Sequence, residues 1–260
     1  MKKTLEWFTS RGYLNKPEVS FVLNTHNMSD LAIATIKLLR GFRNSEIIVV
    51  DDGSEHFHTM ALANELTGVN ESLLHLSDLF EVLALNRAFS FARGDLCVYL
   101  QDDDSFNSMD WVAKAIRLFG IHPDMAILGG RSSVSFVPDR KKRPIKEHAI
   151  NEFEFVQSLN TAPLWVRRSD FLALGGFDED FAPFMYSESD LCLRAWLSGK
   201  SVGWYNSGRL RPVPTKERRL KKFILEDEAT HMHFDMLIDR YGKMLGEINR
   251  IVYERNQAVD

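Results

Sequence analysis

Two acidic clusters dominate the chemistry this chain can offer: Asp51-Asp52-Gly53-Ser54 and, further along, Gln101-Asp102-Asp103-Asp104. Consecutive carboxylates repel one another, so stability alone gives little reason to gather them. A hard divalent cation relieves that repulsion. Mg²⁺ and Mn²⁺ prefer oxygen ligands, and Mg²⁺ often takes only one or two carboxylates while water and substrate phosphates complete its shell. The run Asp102-Asp103-Asp104 suits such a partial ligand set. An isolated acidic triplet serves equally well as a solvated turn or as the N-cap of the helix around Trp111, and Asp-Gly is itself a common turn dipeptide.

The elements that deliver these residues tilt the balance toward metal binding. Val19 to Asn24 is a short β-rich run, followed by a polar turn from Thr25 to Ser29 and a helical pattern from Asp30 to Leu39. Glu46-Ile47-Ile48-Val49-Val50 is nearly all apolar, as a strand covered on both faces requires, and it ends abruptly at Asp51. After a further helical stretch, a helix from about Leu79 to Ala92 stops at Arg93-Gly94-Asp95. Leu96 to Leu100 is then another buried strand that terminates in acid. This alternation predicts an α/β fold with a mostly parallel, twisted sheet flanked by helices, in which ligands bind outside the carboxyl ends of the strands.

The later chain reads as strands at Ala126 to Gly130, Leu164 to Val166 and Ser201 to Tyr205, with a basic, proline-containing loop from Arg140 to Lys146. Gly175-Gly176-Phe177-Asp178-Glu179 forms a turn, and Ser187 to Ser198 a helix with an acidic first turn. A basic stretch from Arg209 to Lys222 and a long helix to about Tyr241 finish the chain. With no internal repeat and no low-complexity linker, residues 1–260 are expected to form a single domain, with one half at about 17–130 and another at about 150–245.

Taken in order, the run Val19 to Asn27, the Asp51-Asp52-Gly53-Ser54 strand end and Leu100-Gln101-Asp102-Asp103-Asp104 resemble a family 2 glycosyltransferase of the GT-A fold. Val166-Arg167-Arg168-Ser169-Asp170, the Gly175 to Glu179 turn and Glu188-Ser189-Asp190-Leu191-Cys192-Leu193-Arg194 resemble that family's acceptor-side pattern. The resemblance spans roughly Val19 to Tyr205 and implies transfer from a nucleotide-diphosphate sugar, a uridine diphosphate sugar by default, to a hydroxyl of a saccharide or lipid-linked saccharide. It implies Mn²⁺ or Mg²⁺ as cofactor and inversion at the anomeric carbon. It makes 17–130 the donor half and 150–245 the acceptor half. By the same likeness Thr25, His26, Asn27, Asp51, Asp52 and Asn86 line the donor pocket, Asp102 lies near the ribose, and Asp103 with Asp104 binds the metal. Two departures stand out: Gln101 replaces the acid that begins the metal signature in many members, and Ala88 replaces a usual glycine.

The resemblance makes Glu188 the general base, with Asp190 in reserve. Ser187 and Asp190 have the spacing of a capping pair, so Asp190 is expected to turn back to the backbone, whereas Glu188 has a longer arm and no such local partner. His231 and His233 lie two apart on the last helix and cannot share a face, so at most one reaches a site. Solvent-facing or half-buried helix histidines are the ordinary reading. The resemblance adds the alternative of a C-terminal histidine at the metal or the donor phosphate. The basic run from Arg209 to Lys222 reads as a solvated face, or else as a lid over diphosphate or a contact with an anionic membrane surface.

Rival readings are weaker. A sugar nucleotidyltransferase requires a glycine-rich phosphate loop after the first strand, and none is present. A phosphoacceptor receiver is far shorter than this chain, and a glycan-binding pseudoenzyme is separated by its lack of turnover. The net charge of −4 argues against nucleic acid as a partner. Cys97 and Cys192, each inside an apolar run, read as buried reduced thiols and lead us to expect a cytoplasmic home. With no apolar stretch near the ~20 residues a bilayer demands, any membrane contact is expected to be peripheral, at the inner face.

Overall fold

The structure, a computed structural model, describes residues 6–13, 15–137, 145–147, 152–160, 162–208 and 220–258. The first half runs β1 (Trp7–Ser10), β2 (Val19–Thr25), α1 (Ser29–Leu39), β3 (Ser45–Asp52), α2 (His56–Glu65), β4 (Glu71–Leu76), α3 (Phe80–Phe91), β5 (Leu96–Gln101), α4 (Asp110–Ile121) and β6 (Met125–Gly129). The second half adds β7 (Ser132–Ser135), β8 (Ile145–Glu147), β9 (Phe153–Phe155), β10 (Ser158–Asn160), β11 (Leu164–Arg167) and α5 (Arg168–Ala173). A 3-10 turn at Glu179–Phe181, α6 (Ser187–Leu197), β12 (Ser201–Tyr205), α7 (Leu220–Tyr241) and α8 (Leu245–Gln257) follow.

One nine-stranded sheet, ordered β1-β4-β3-β2-β5-β11-β6-β12-β9, passes through both halves, and β10, β7 and β8 form a small second sheet. Strands β2 to β6 and β12 run one way, while β1, β9 and β11 run against them. The sheet is therefore mostly parallel, with β11 inserted antiparallel between β5 and β6.

Side chains alternate across this sheet and feed two cores. Val22, Ile48, Val50, Cys97 and Tyr99 pack with Val82, Leu85 and Phe89 of α3 and Leu191 of α6. Phe21, Leu23, Val49, Val98 and Leu100 pack on the other face with Ile36 of α1 and Trp111 and Val112 of α4. Burying each such side chain contributes about 1.5–3 kcal/mol, which is why these strands read as continuous apolar runs. Gly94 is a glycine because of close approach: a Cβ there would lie 2.6 Å from the Ser20 backbone nitrogen.

Several elements escaped the sequence pattern. β4 (Glu-Ser-Leu-Leu-His-Leu) begins with an acid, yet Glu71 is buried because Arg40 and the Gly68 N–H hold its carboxylate. Part of the expected Arg140 to Lys146 loop is β8, which pairs with β7; residues 138–144 lie outside the described ones, as do 209–219 of the basic run. α8 continues the chain beyond α7 and reaches β9, where the Asn256 amide brackets the Phe155 peptide. Both cysteines are buried and free, and burial pushes each thiol up to about 12. Among the described residues no helix is long and apolar enough to cross a membrane.

Candidate active site

The carboxyl ends of β2, β3 and β5 converge, and loops after them interlock through short hydrogen bonds. The Asn27 amide donates to His26 Nε2 at 3.1 Å, which leaves Nδ1 as the protonated nitrogen that donates to the Asp52 carbonyl at 2.7 Å. Asn27 adopts φ 57°. Its N–H reaches Ser54 Oγ and its Oδ1 accepts from the Glu55 N–H, tying the first loop to the second. A non-glycine residue in the left-handed region is uncommon, and here the surrounding bonds hold it.

The acid pair at the end of β3 is engaged within the protein. Asp51 is fully buried; Thr59 Oγ1 donates to it at 2.6 Å and His75 Nδ1 lies 2.9 Å from the same oxygen. Asp52 accepts from the backbone N–H groups of Leu79 and Phe80 at 2.7 and 2.8 Å. Asp78 and Phe80 both have positive φ, 61° and 64°, so the carboxylate of Asp52 stabilises a strained entry into α3. These two carboxylates tie α2, β4 and the entry of α3 to the end of β3.

At the end of β5 the three acids separate by environment. Asp104 is buried and folds back, its Oδ2 accepting from the Gln101 N–H at 2.9 Å, so it closes the turn. Asp102 is half-buried, and loss of water pushes its carboxyl up to about 7; proximity to the Thr25 hydroxyl opposes the shift and the neighbouring Asp103 charge adds to it. Thr25 Oγ1 is nevertheless buried without a hydrogen bond of good geometry. Asp103, partly exposed, forms no hydrogen bond or ion pair among the described residues. It is the member of the triplet available to a ligand.

The acceptor-side turn is pinned to α3 by two hydrogen bonds. The Asn86 amide accepts from the Phe177 N–H at 3.0 Å and donates to the Phe177 carbonyl at 2.8 Å, so this residue, expected in the donor pocket, clamps the Gly-Gly-Phe turn. Gly176, at φ 78°, leaves room for that amide: a Cβ would lie 3.0 Å from Asn86 Oδ1.

Helix α6 begins after Tyr186, which has φ 64°, and no side chain caps it. The expected Ser187–Asp190 capping pair does not form, because Asp190 turns inward. Its Oδ2 accepts from Arg194 Nε and Nη2 at 2.7 and 2.6 Å, and its Oδ1 from the Tyr241 hydroxyl at 2.6 Å. Arg240 on α7 binds Asp178 and Asp180 and lies 3.8 Å from Asp190. Glu188, one residue after Ser187, is partly exposed and accepts from Ser187 Oγ at 3.1 Å.

Helix α7 divides its two histidines as a 100° step per residue demands. His231 is exposed, whereas His233 is fully buried. His233 Nδ1 lies 2.9 Å from the Phe184 carbonyl, which makes it the N–H, and its Nε2 is a buried lone pair without a partner. Sequence reasoning passed over Glu81, whose Oε1 accepts from Tyr99 Oη at 3.0 Å and Gln101 Nε2 at 2.8 Å. It also passed over Asn24, Tyr241 and Arg240. Asn24 alone left a signal, as the polar residue that ends an apolar strand.

A model of the glycosyl transferase family 2 matches residues 20–189, which takes in both acidic strand ends and the start of α6. The chain belongs to glycosyl transferase family 2. Among curated proteins it is 24% identical over 217 residues to the uncharacterized protein y4gI of Sinorhizobium fredii, covering 72% of this chain and 23% of that protein. The chain thus spans about a quarter of that relative's length.

Among solved structures, the mannosyltransferase PcManGT from Pyrobaculum calidifontis, in complex with GDP-Man and Mn²⁺, superimposes with a TM-score of 0.60 at 16% identity, over 78% of this chain and 59% of that one. GalNAc-T7 with UDP, GalNAc and Mn²⁺ gives 0.62 at 13% identity, over 74% and 43%. The fold is that of the GT-A glycosyltransferases.

Proposed function

We propose that the chain transfers a sugar from a nucleotide-diphosphate sugar, a uridine diphosphate sugar by default, to a hydroxyl of a saccharide or lipid-linked saccharide. The transfer is metal-dependent and inverts the anomeric carbon. The observation that carries the reading is the division among the acids. Asp51, Asp52, Asp104 and Asp190 are engaged by the protein's own groups, while Asp103 makes no such bond and Glu188 stands partly exposed at the start of α6. Similar GT-A proteins hold Mn²⁺ with GDP-Man or with UDP, which supports a metal and a nucleotide but leaves the base open.

Asp103, with Asp102 beside it, offers the hard oxygen ligands that Mn²⁺ or Mg²⁺ prefers, and since no third His, Cys, Asp or Glu gathers with them among the described residues, the substrate diphosphate and water would complete the shell. When bound, the cation neutralises charge on the departing diphosphate. Neither His231, which is exposed, nor His233, which is buried, joins a group of three or more potential ligands among the described residues. Thr25 and Asp102 meet the nucleoside, with the unpartnered Thr25 hydroxyl as the contact. His26, Asn27, Asp51 and Asp52 hold the loops that enclose the nucleoside, and Asn86 holds the acceptor-side turn against α3. Glu188 takes the proton from the acceptor hydroxyl as its oxygen attacks, for which a carboxylate needs only modest basicity.

A panel of nucleotide sugars, with Mn²⁺ or Mg²⁺, tests this by thermal protection and by release of nucleoside diphosphate. At least one donor is expected to protect the fold and to turn over only with metal. If none protects and none turns over, the proposal falls.

A further inference from the structure

The alternation that builds the core continues into the polar strand ends. Asn24 follows Val22, Gln101 follows Tyr99, and Asp52 follows Val50, all on the face that packs against α3 and α6. The register sets Asn24 between Val50 and Gln101. Above them the first turn of α3 lowers Glu81 onto Tyr99 and Gln101, making a fixed carboxylate between the two strand ends and the helix layer. The Tyr99 phenol is raised above its ordinary value by burial first, then by the charges of Glu81 and Glu188. One atom has no counterpart within the protein: Asn24 Oδ1 is buried and accepts no hydrogen bond. A buried acceptor without a donor is costly, and such atoms ask for an explanation.

We propose that Asn24 and Glu81, with Gln101 and Tyr99 holding Glu81 in place, form the subsite that binds the hydroxyls of the transferred sugar. This rests on the transferase reading above. If Asp103 anchors the diphosphate and Glu188 deprotonates the acceptor, the anomeric carbon must lie between them, and the sugar ring must lie against the sheet face that joins β5 to α6. The polar side chains on that face are Asn24, Gln101, Glu81 and Asp52, of which Asp52 is already taken up by the N–H groups of Leu79 and Phe80. Asn24 Oδ1 accepts a sugar O–H and so gains the donor it lacks in the free protein. Glu81, already fixed by two donors on Oε1, accepts hydroxyls in the same way. Acceptor oxygens beside two glutamates favour a neutral hexose and repel a hexuronate, whose own carboxylate would meet Glu81 and Glu188. Gln101, uncharged and donating to Glu81, completes the arrangement: an acid at that position would face Glu81 directly.

The test uses the whole chain with Mn²⁺, the variants Asn24→Ala and Glu81→Gln, and UDP-glucose, GDP-mannose and UDP-glucuronate as donors, with nucleoside diphosphate release as the readout. Each variant is expected to raise the KM of the preferred donor at least ~10-fold, the worth of one hydrogen bond, while UDP or GDP binding by calorimetry stays within about 2-fold. Asn24→Ala is expected to melt no lower than the wild type, because it removes an unsatisfied buried atom, which a merely structural role would not produce. The wild type is expected to prefer a neutral hexosyl donor over UDP-glucuronate, and Glu81→Gln to narrow that preference. If the wild type turns over a donor and both variants keep its KM and its selectivity, the subsite is refuted and the transferase reading stands. If the wild type neither binds a nucleoside diphosphate nor turns over any donor, the reading falls and takes the subsite with it.

Discussion

Replacing Asp190 by Asn and Glu188 by Gln should separate stability from chemistry within one turn of helix. Asp190 is fully buried, and both its oxygens are occupied: Tyr241 on one side, two guanidinium nitrogens of Arg194 on the other. An Asn can keep its carbonyl toward Arg194, which has only donors to offer, but its NH₂ then meets Tyr241, whose hydroxyl must find another acceptor. Removing a buried ion-pair partner outright costs about 3–5 kcal/mol. Arg194 keeps its bonds to the Leu174 and Gly176 carbonyls and is 22% exposed, so Asp190→Asn should cost less, about 2–3 kcal/mol. At roughly 2–4 °C per kcal/mol for a chain of this class, the melting temperature should fall by about 4–12 °C.

Glu188→Gln changes a partly exposed side chain whose local bond comes from Ser187 Oγ, so its melting temperature should stay within ~1 °C of wild type. Its transfer rate should fall at least ~10²-fold with donor binding retained. Thermal unfolding by circular dichroism and single-donor kinetics, both well below the lower melting point, measure the two effects. An Asp190→Asn variant that melts with the wild type would refute the packing argument. A Glu188→Gln variant that transfers normally, beside a folded and inactive Asp190→Asn, would move the base to Asp190.

Asp103→Asn should abolish metal-stimulated turnover without lowering the melting temperature, since no bond to Asp103 supports the fold; full activity in that variant, or in thoroughly chelated wild type, refutes the metal assignment. Asp52→Ala should weaken nucleoside diphosphate binding and also destabilise the protein by about 1–3 kcal/mol, because the N–H groups of Leu79 and Phe80 lose their acceptor; calorimetry showing unchanged affinity counts against its place beneath the donor pocket. The carboxyl of Glu71 titrates below its ordinary value near 4.5: burial raises it, but Arg40 and the N–H groups of Gly68 and Thr67 together outweigh burial. A depressed folded value means that the stabilisation is present above the unfolded value and is lost as pH falls through the folded one. Melting temperatures of wild type and Glu71→Gln should therefore differ at pH 7 and converge as pH falls below the ordinary carboxyl range, and parallel curves would show that the pair does not set the acid limb.

Much of the fold was legible because one periodicity governs it. Apolar runs such as Ile47 to Val50 and Leu96 to Leu100 can be covered on both faces only in a parallel sheet between helices, and their abrupt acidic ends mark the edge where ligands bind. The order of these motifs carried the family resemblance, and the family match agrees with it over residues 20–189. What remained hidden is what sequence spacing does not encode: which partner each side chain finds across the chain. Asp51, Asp52 and Asp103 look alike in a string of letters. Only the tertiary structure brings Thr59 and His75 to the first, the bent entry of α3 to the second and, among the described residues, no hydrogen-bond or ion-pair partner to the third. Asp190 read as a local cap because Ser187 stands three residues before it, yet a buried charge demands a counter-charge, and Arg194, one turn on in the same helix, with the distant Tyr241 takes the carboxylate in place of the cap. Glu81 and Asn24 gave little sign of their place, because one sits in an ordinary helix and the other ends an apolar strand. Their meeting on one sheet face follows from the register of β2 with β5 and the packing of α3 on that face, and both are set by contacts between residues far apart in the chain.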